Sequence, residues 1–593
     1  MQLDPKARER GAGNFNGAIA SEHLKKFRDA QGNEISRREF LVGSITAGVA
    51  SGTGLGSYYF GYGASVDRPV RIGIIGTGDE GGVLIGALNP EFVEVVAIAD
   101  IRPYNIYRAF HGDDSSPNAL LARPGLIRRY GKAHTDKIKI FGHAPRKFND
   151  GVVMGETYAQ MLQDPEIEGV IVALPLHLHK EASIDAMEAG KHVLTEKLMA
   201  KTVGDCKAMA RAAYKENKYL ATGHQRHYSI LYDNAVHLIK SGVLGRLHHI
   251  RAQWHRNNQP GRDSWQPPLP DQIAKKITDL TRKAADAKKS GDISRLREIE
   301  EHLVRFEYQV QDDILGQKNE SLGHKSLAEI YGYQAKDGYT DANGKPYARS
   351  ALEELIRWRL WERTGGGLMA ELGSHQLDAA SIFVSAMYED GRKARPLRVA
   401  ANGGRHIFPH DRDCEDHVYC NYEFPAPGYE HYDRRTHDNK IVVTYSSING
   451  NDFGGYGEVV MGTNGTLILE KEQEVMLFGN ASNYTEVKVS KTKSDDIVLD
   501  TTQSPGADAQ IGDKGMRTGP VSRGYTEEIE HWAWCVRNPS PEHMPKCKPE
   551  VALADAVIAL TTNIAIRQNR TIEFRDEWFE IDSAATPEND FGV

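Results

Sequence analysis

The stretch from Val70 to Asp100 constrains this chain more than any other. Val70-Arg71-Ile72-Gly73-Ile74-Ile75 is a short apolar run that reads as a buried parallel strand. Gly76-Thr77-Gly78-Asp79-Glu80-Gly81 follows at once and fits G-x-G-x-x-G. In that pattern the first glycine makes a tight turn and the second lets backbone approach a pyrophosphate. The third allows close helix–strand packing. The spacing predicts a helix from Glu80 to Leu88 and a second apolar strand, Val93 to Asp100. Asp100 lies about 20 residues past the glycines, where a carboxylate binds adenosine ribose hydroxyls. That carboxylate favours NAD and makes NADP the weaker choice, because it would repel a 2′-phosphate. Arg102 could stack on adenine or soften the preference. Asp79 and Glu80 set two negative charges beside the expected pyrophosphate. We expect them to point outward and favour the helix N-terminus through its dipole.

The pattern continues as an α/β Rossmann dinucleotide-binding domain would. A polar connection, Tyr104 to Met161, reads as an insertion within it. Gly169 to Pro175 is the next buried strand. A helix over Lys180–Ala189 leads to a further strand, Lys191 to Lys197. Functional groups in open α/β sheets gather at the carboxyl ends of strands. Leu174, Pro175, His179, Glu196 and Lys197 stand at such ends, and His177 forms an HxH with His179.

These landmarks resemble the glucose–fructose oxidoreductase / inositol dehydrogenase (Gfo/Idh/MocA) family. To them are added Ala189-Gly190-Lys191-His192-Val193 and the run Gly365 to Asp378. The resemblance covers about residues 68 to 575, with insertions. The family E-K-P motif stands here as Glu196-Lys197-Leu198. The family lysine, which contacts substrate and tunes proton transfer, maps to Lys197. The family D-x-x-x-H pair maps to Glu371 and His375, a spacing that puts both on one helical face. Glu in place of Asp adds one methylene. The resemblance also implies sugar contacts from Arg226, Tyr228 and Asp378, and a second domain often used for homo-oligomer contact.

After Ala200 the pattern becomes β-rich. Leu247–Arg256, Leu397–Gly403, Asp416–Phe424, Lys440–Asn449 and Glu458–Leu469 read as strands. Thr463-Asn464-Gly465-Thr466 is a hairpin signal. Glu527–Val536 and Val551–Arg567 read as helices. The expected architecture is a Rossmann domain (67–200) followed by an α+β domain with a large, mainly antiparallel sheet (201–580). A helical insertion occupies about 259–356. There, Ile273, Ile277, Leu280, Ala284 and Ala287 alternate at three- and four-residue steps. A second stripe runs from Ile293 to Ile314 beyond Ser290-Gly291-Asp292. With 73 Lys+Arg against 81 Asp+Glu, the chain lacks the basic footprint of a nucleic-acid partner. Its five cysteines contain no CxxC. His406, His410, Cys414 and His417 match no common metal spacing, so no metal is expected.

Ser36-Arg37-Arg38-Glu39-Phe40-Leu41 resembles the twin-arginine (Tat) export consensus, and no charged residue follows until after Val66. Residues 1–66 are therefore read as signal and linker, with a periplasmic or extracytoplasmic destination. Gly63-Ala64 is the nearest cleavage candidate, and an uncleaved anchor is the variant. No other stable membrane partner is expected. Export from the NAD-rich cytoplasm points to a tightly held, internally recycled cofactor and a small carbohydrate or polyol substrate. His375 is the expected base, Lys197 the hydroxyl-orienting cation and Glu371 their support. Three functions follow: a hydride-transferring sugar or polyol oxidoreductase, an NAD-dependent glycosidase using transient oxidation and elimination, or a non-catalytic sugar-binding protein.

Overall fold

The computed structural model describes residues 3–23, 55–142, 146–148, 151–153, 157–341, 343–479, 488–491, 497–500 and 523–593. The twin-arginine run, Ser36 to Leu41, lies outside them. Helix α1 (Pro5–His23) comes first and a short helix α2 (Leu55–Phe60) next.

The nucleotide half is a six-stranded, wholly parallel sheet. It contains β1 (Val70–Ile75), β2 (Val93–Asp100), β3 (Lys139–Gly142), β4 (Gly169–Val172), β5 (His192–Glu196) and β6 (Leu220–Gly223), in the order β3-β2-β1-β4-β5-β6. Chain order reverses between β1 and β4, the switch point where such sheets bind ligands. Every residue of β4 is buried, as its unbroken apolar sequence requires. The helix after the glycine turn, α3 (Asp79–Ala87), starts within a residue of its expected place. The connection read as an insertion, Tyr104 to Met161, carries secondary structure and an edge of the sheet. It contains α4 (Pro103–His111) and the edge strand β3, paired with Ala97 to Asp100. Four residues of mixed polarity, exposed at Lys139 and Ile140, carry too little alternation to declare a strand.

The second half is an eight-stranded mixed sheet. Its strands are β7 (Leu247–Trp254), β8 (Arg398–Gly404), β9 (His417–Pro425), β10 (Lys440–Ile448), β11 (Tyr456–Gly462), β12 (Gly465–Glu470), β13 (Glu474–Gly479) and β14 (Ile572–Glu573). The order is β13-β12-β11-β7-β10-β9-β8-β14, with β7 and β10 the single parallel pair. Thr463 and Asn464 turn β11 into β12. Against this sheet lie α9 (Ser374–Ser385) and α11 (Pro549–Gln568). The latter is apolar and long enough to cross a membrane, yet 83% of its apolar window is buried in the protein.

Between β7 and α9 rises a helical hairpin, α7 (Pro270–Ser290) and α8 (Ile293–Gln311). Gly291 ends the first helix in the left-handed conformation (φ 72°), and the Asp292 side chain caps the second. The hairpin leans on the nucleotide half. Tyr308 stacks on Tyr107 with ring centroids 4.1 Å apart, and Arg305 pairs with Asp114 at 3.3 Å. Helix α1 covers the outer face of the sheet at β13. Asn14 donates to the Leu477 carbonyl at 3.0 Å, and Arg8 pairs with Glu470 and Glu474.

Candidate active site

Where the two halves meet, a cavity of about 860 Å³ opens above the carboxyl ends of β1, β2, β4 and β5. Its nucleotide wall is built by the glycine turn. Gly76 has φ +88°, and a Cβ there would stand 2.4 Å from the Ala173 carbonyl oxygen. A Cβ on Gly81 would stand 2.3 Å from the Gly76 carbonyl oxygen. Gly78, at the N-cap of α3, has only the Asn105 amide near it, at 3.5 Å. The turn leaves a cradle that a side chain would fill, at a helix N-terminus that attracts anions. These residues fit the pyrophosphate of a dinucleotide.

Two of the acids on that wall, Asp79 and Asp100, are engaged by neighbours. Asp79 pairs with Arg108 at 2.9 Å and Arg359 at 3.6 Å. Burial raises its pKa, but Arg108, Arg359 and Arg123 outweigh burial and hold the carboxyl well below its usual range. The outward-pointing role expected of Asp79 is thus an ion pair. Glu80 lines the cavity, with one carboxyl oxygen buried and unpartnered. Asp100 also lines it, but both its oxygens are engaged. They accept from the Thr77 amide at 2.8 Å, the Arg102 amide at 2.8 Å and the Asn105 side chain at 3.1 Å. Thr77 is fully buried beneath the turn. The Arg102 guanidinium is taken by Asp312, at 2.8 and 2.9 Å, at the end of the helical insertion.

Leu174, Pro175 and His177 continue the wall at the end of β4. His179 does not face the cavity. Its ring nitrogens lie 2.9 and 2.8 Å from the Leu198 and Leu174 carbonyls, so it ties the loops together. At the end of β5, Glu196 and Lys197 face the cavity, and the Lys197–Leu198 peptide is cis. Burial, then the nearby Glu80, push the Glu196 carboxyl up to about 8.

On the opposite wall stand Glu371 and His375. Glu371 occupies a π-helical turn, Met369–Gly373, that runs directly into α9, and His375 is the second residue of α9. A π turn shifts side-chain directions within a helix and recurs at functional sites. Lys197 Nζ donates to the Glu371 carbonyl at 2.6 Å and lies 3.8 Å from its carboxylate. Arg359 Nε donates to that carboxylate at 2.8 Å. Burial would raise Glu371, but Lys197 and Arg359 bring it down to about 2. Burial first, then the charges of Lys197 and Arg226, push His375 well below 6.5. His375 is therefore a neutral imidazole, able to accept a proton, against the Trp254 ring at 5.4 Å.

Three expected substrate contacts are corrected. Arg226, Tyr228 and Asp378 lie behind the cavity wall, each at most 1% exposed. Arg226 pairs with Glu472 at 2.8 Å and Glu458 at 3.4 Å, and also donates to the His375 carbonyl. Tyr228 lies 2.9 Å from His531, and Asp378 pairs with Lys393 at 2.6 Å and His227 at 2.8 Å. Each is polar and interior: ion pairs hold Arg226 and Asp378, and a neutral hydrogen bond holds Tyr228. His224, Cys547 and Asp555 cluster nearby within reach of a common ion. Lys393, 2.8 Å from Asp555 and 2.6 Å from Asp378, already supplies the positive charge there. Sequence reasoning missed the residues that complete the cavity: Trp254, Arg256, Trp265, Tyr333, Arg359 and Tyr525. The two tryptophans flank an arginine across a loop, a signal visible only once β7 is known to end at the cavity.

Taken together, the switch-point glycine cradle and the facing Lys197 and His375 define a dinucleotide-binding α/β architecture with a polar cavity at its mouth. Residues 70–224 match the Gfo/Idh/MocA family model, described as an oxidoreductase family with an NAD-binding Rossmann fold. That match lies within the nucleotide half. Among curated relatives, a dehydrogenase of 1-carboxy-3-chloro-3,4-dihydroxycyclohexa-1,5-diene from Comamonas testosteroni is 37% identical over 16% of this chain and 23% of its own length. A glycosyl hydrolase family 109 protein from Solibacter usitatus is 23% identical over 38% of this chain and 47% of its own. A levoglucosan dehydrogenase from Pseudarthrobacter phenanthrenivorans is 34% identical over 16% and 25%. The chain thus spans less than half the length of these relatives. An oxidoreductase domain protein from Kribbella flavida, of known structure, is 14% identical with a TM-score of 0.48, over 86% of this chain and all of that one.

Proposed function

We propose that this protein is a nicotinamide-dependent oxidoreductase acting on a sugar or polyol hydroxyl, with NAD held tightly and recycled within each turnover. The observation that carries the reading is the convergence of Lys197 and His375 across one cavity from the glycine cradle. Bound NAD would supply hydride acceptance from the alcohol carbon. The chain's own residues do the rest. His375 takes the hydroxyl proton, since its neutral imidazole is the group there able to do so. Lys197 donates to the hydroxyl oxygen and orients it. Glu371 and Arg359 hold Lys197 in place, and the Trp254 face excludes water.

NAD is favoured over NADP because Asp100 would repel a 2′-phosphate and Arg102, bound to Asp312, is not free to receive one. Tight retention is supported by the insertion, whose residues Gln309 and Ile330 to Tyr333 line the cavity, with the Tyr333 ring 5.6 Å from His177 of the nucleotide wall. Denaturing the purified protein and assaying the supernatant for NAD tests this. Near-stoichiometric NAD supports the reading; protein that neither carries nor binds NAD refutes it. The family 109 relative gives a second reading, oxidation followed by elimination. Release of free sugar from a glycoside would identify that branch, and paired oxidised and reduced sugars the first.

For localisation we propose export by the twin-arginine route with the N-terminus retained, as a homo-oligomer. Docking of α1 on β13 supports retention, because cleavage at Gly63-Ala64 would strip Val459, Ile468, Met476 and Phe478 of their cover. The intact mass of the exported protein tests it, and light scattering tests the oligomer.

A further inference from the structure

Arg256 is unlike the other arginines around the cavity. Arg357 pairs with Glu353 at 2.6 Å, Arg359 with Glu371 at 2.8 Å and Arg523 with Glu472 at 2.6 Å. Among the described residues, no carboxylate lies within 4.0 Å of the Arg256 guanidinium. It is held between two indoles instead, its Cζ 5.5 Å from the Trp254 centroid and 5.8 Å from that of Trp265. The backbone is fixed by the bridge between Arg256 and Asn449, just beyond the end of β7. All three side chains line the cavity. Trp254 also touches His375, so this arginine stands one ring's width from the expected base.

Ion pairing on this wall leaves one guanidinium without a contacting carboxylate, although Glu371 acts on Arg256 through space and Glu80 and Glu196 also line the cavity. Glu371 is matched by Arg359 and Lys197, and Asp79 by Arg108. Arg256 remains. A partly desolvated guanidinium without a counter-ion is costly unless a ligand supplies one. Its planar fork suits a carboxylate bidentately, and the flanking indole faces suit the C–H faces of a sugar ring. We propose that the substrate is a carboxylated sugar, of the uronate or aldonate class, with its carboxylate on Arg256 and its ring against Trp254 or Trp265. This rests on the hydride-transfer reading above and narrows its substrate. One cation matches one negative charge, which favours a carboxylate over a phosphate dianion.

The test pairs D-glucuronate with D-glucose and D-galacturonate with D-galactose, with glucose 6-phosphate as the phosphate arm, on purified holoenzyme. Two readouts are taken: quenching of indole fluorescence, and near-ultraviolet absorbance of the reduced cofactor. The acids are expected to bind at least about 10-fold tighter than their neutral partners. Arg256→Met is expected to cut the acid-to-neutral ratio about 10- to 100-fold, the scale of a charged hydrogen bond. Arg256→Lys, which keeps charge but not the fork, falls between. Circular dichroism and NAD content confirm that the variants are folded. Equal affinity for acid and neutral sugars, an equal loss of both in Arg256→Met, or a preference for the phosphate overturns the proposal. Arg256-dependent quenching by uronates with no cofactor reduction by any sugar leaves the carboxylate site standing and refutes hydride transfer instead.

Discussion

The reactive centre depends on which charges surround one imidazole. His375 is buried, and Lys197 and Arg226 add positive potential, so its proton affinity falls well below that of a free histidine. It stays neutral throughout the physiological range and can accept a proton only as the substrate hydroxyl develops negative charge. Replacing it with alanine is expected to lower kcat about 10²- to 10⁴-fold, the usual scale for a general base, with NAD content unchanged. Steady-state kinetics on cofactor-loaded protein checks this. A variant with near-normal kcat would remove His375 from the mechanism. Lys197, Glu371 and His375 were legible in the sequence because each sits in a motif at a fixed distance from a strand or helix end. Arg226, Tyr228 and Asp378 misled because polarity alone does not show direction. Their partners, Glu472, His531 and Lys393, are 246, 303 and 15 residues away in sequence, and only the folded chain brings them close. Arg256 went unnoticed for the same reason, since its meaning comes from Trp265 on a loop that the sequence does not place.

At the scale of elements, the glycine turn and the helical insertion line the same cavity. The turn tolerates no added methyl at Gly76 or Gly81. Gly81→Val would drive its side chain into the Gly76 carbonyl, 2.3 Å from the nearest position a Cβ can take. The purified variant is expected to carry no NAD, measured by denaturation and assay. The insertion acts through Asp312, which is buried and binds both the Arg102 side chain and the Tyr104 amide. Asp312→Asn is expected to weaken that tie and release the clasp. Less NAD would then copurify, and turnover would come to depend on added NAD. Unchanged NAD content would show that the hairpin does not help to retain cofactor. The sequence announced the turn, since a glycine pattern between two apolar strands has few other uses. It also announced the hairpin's two stripes, but not where the hairpin leans. That depends on Tyr107 and Tyr308, which meet only because α4 and α8 cross. Strand β13 escaped notice because its partner on the outer face is α1, nearly the whole chain away.

Across the whole molecule, burial has moved titrations in opposing directions, and this sets the pH dependence of stability. His177, His192 and His531 are pushed down to about 4 and His224 to about 3, each mainly by burial. Glu196 is pushed up to about 8, and Glu458 and Glu530 to about 7, again mainly by burial. Below pH 6.5 the unfolded chain binds protons on histidines that the folded chain keeps neutral, so acid destabilises. Above pH 4.5 the unfolded chain releases protons from these carboxyls while the folded chain keeps them, so rising pH destabilises until about 7 to 8. Between those limits the effects oppose each other. From pH 6.5 to 8 the carboxyls outweigh what remains of the unfolded histidines' titration, about 0.4 kcal/mol each, and stability is expected to fall by about 1 to 2 kcal/mol. Calorimetric Tm should be lower at pH 8 than at pH 6.5; a higher Tm at pH 8 would mean these carboxyls are ionised in the folded protein.

In the proposed mechanism, one cavity would hold an NAD molecule and a sugar hydroxyl beside Lys197 and His375. The most direct measurement adds a panel of neutral and uronic sugars to purified protein without added NAD and follows absorbance of the reduced cofactor. A rise is expected in the wild type with at least one sugar, and none in a His375→Ala variant that still carries NAD. Wild-type protein loaded with NAD that shows no rise with any sugar, or a variant that responds as the wild type does, would contradict that mechanism.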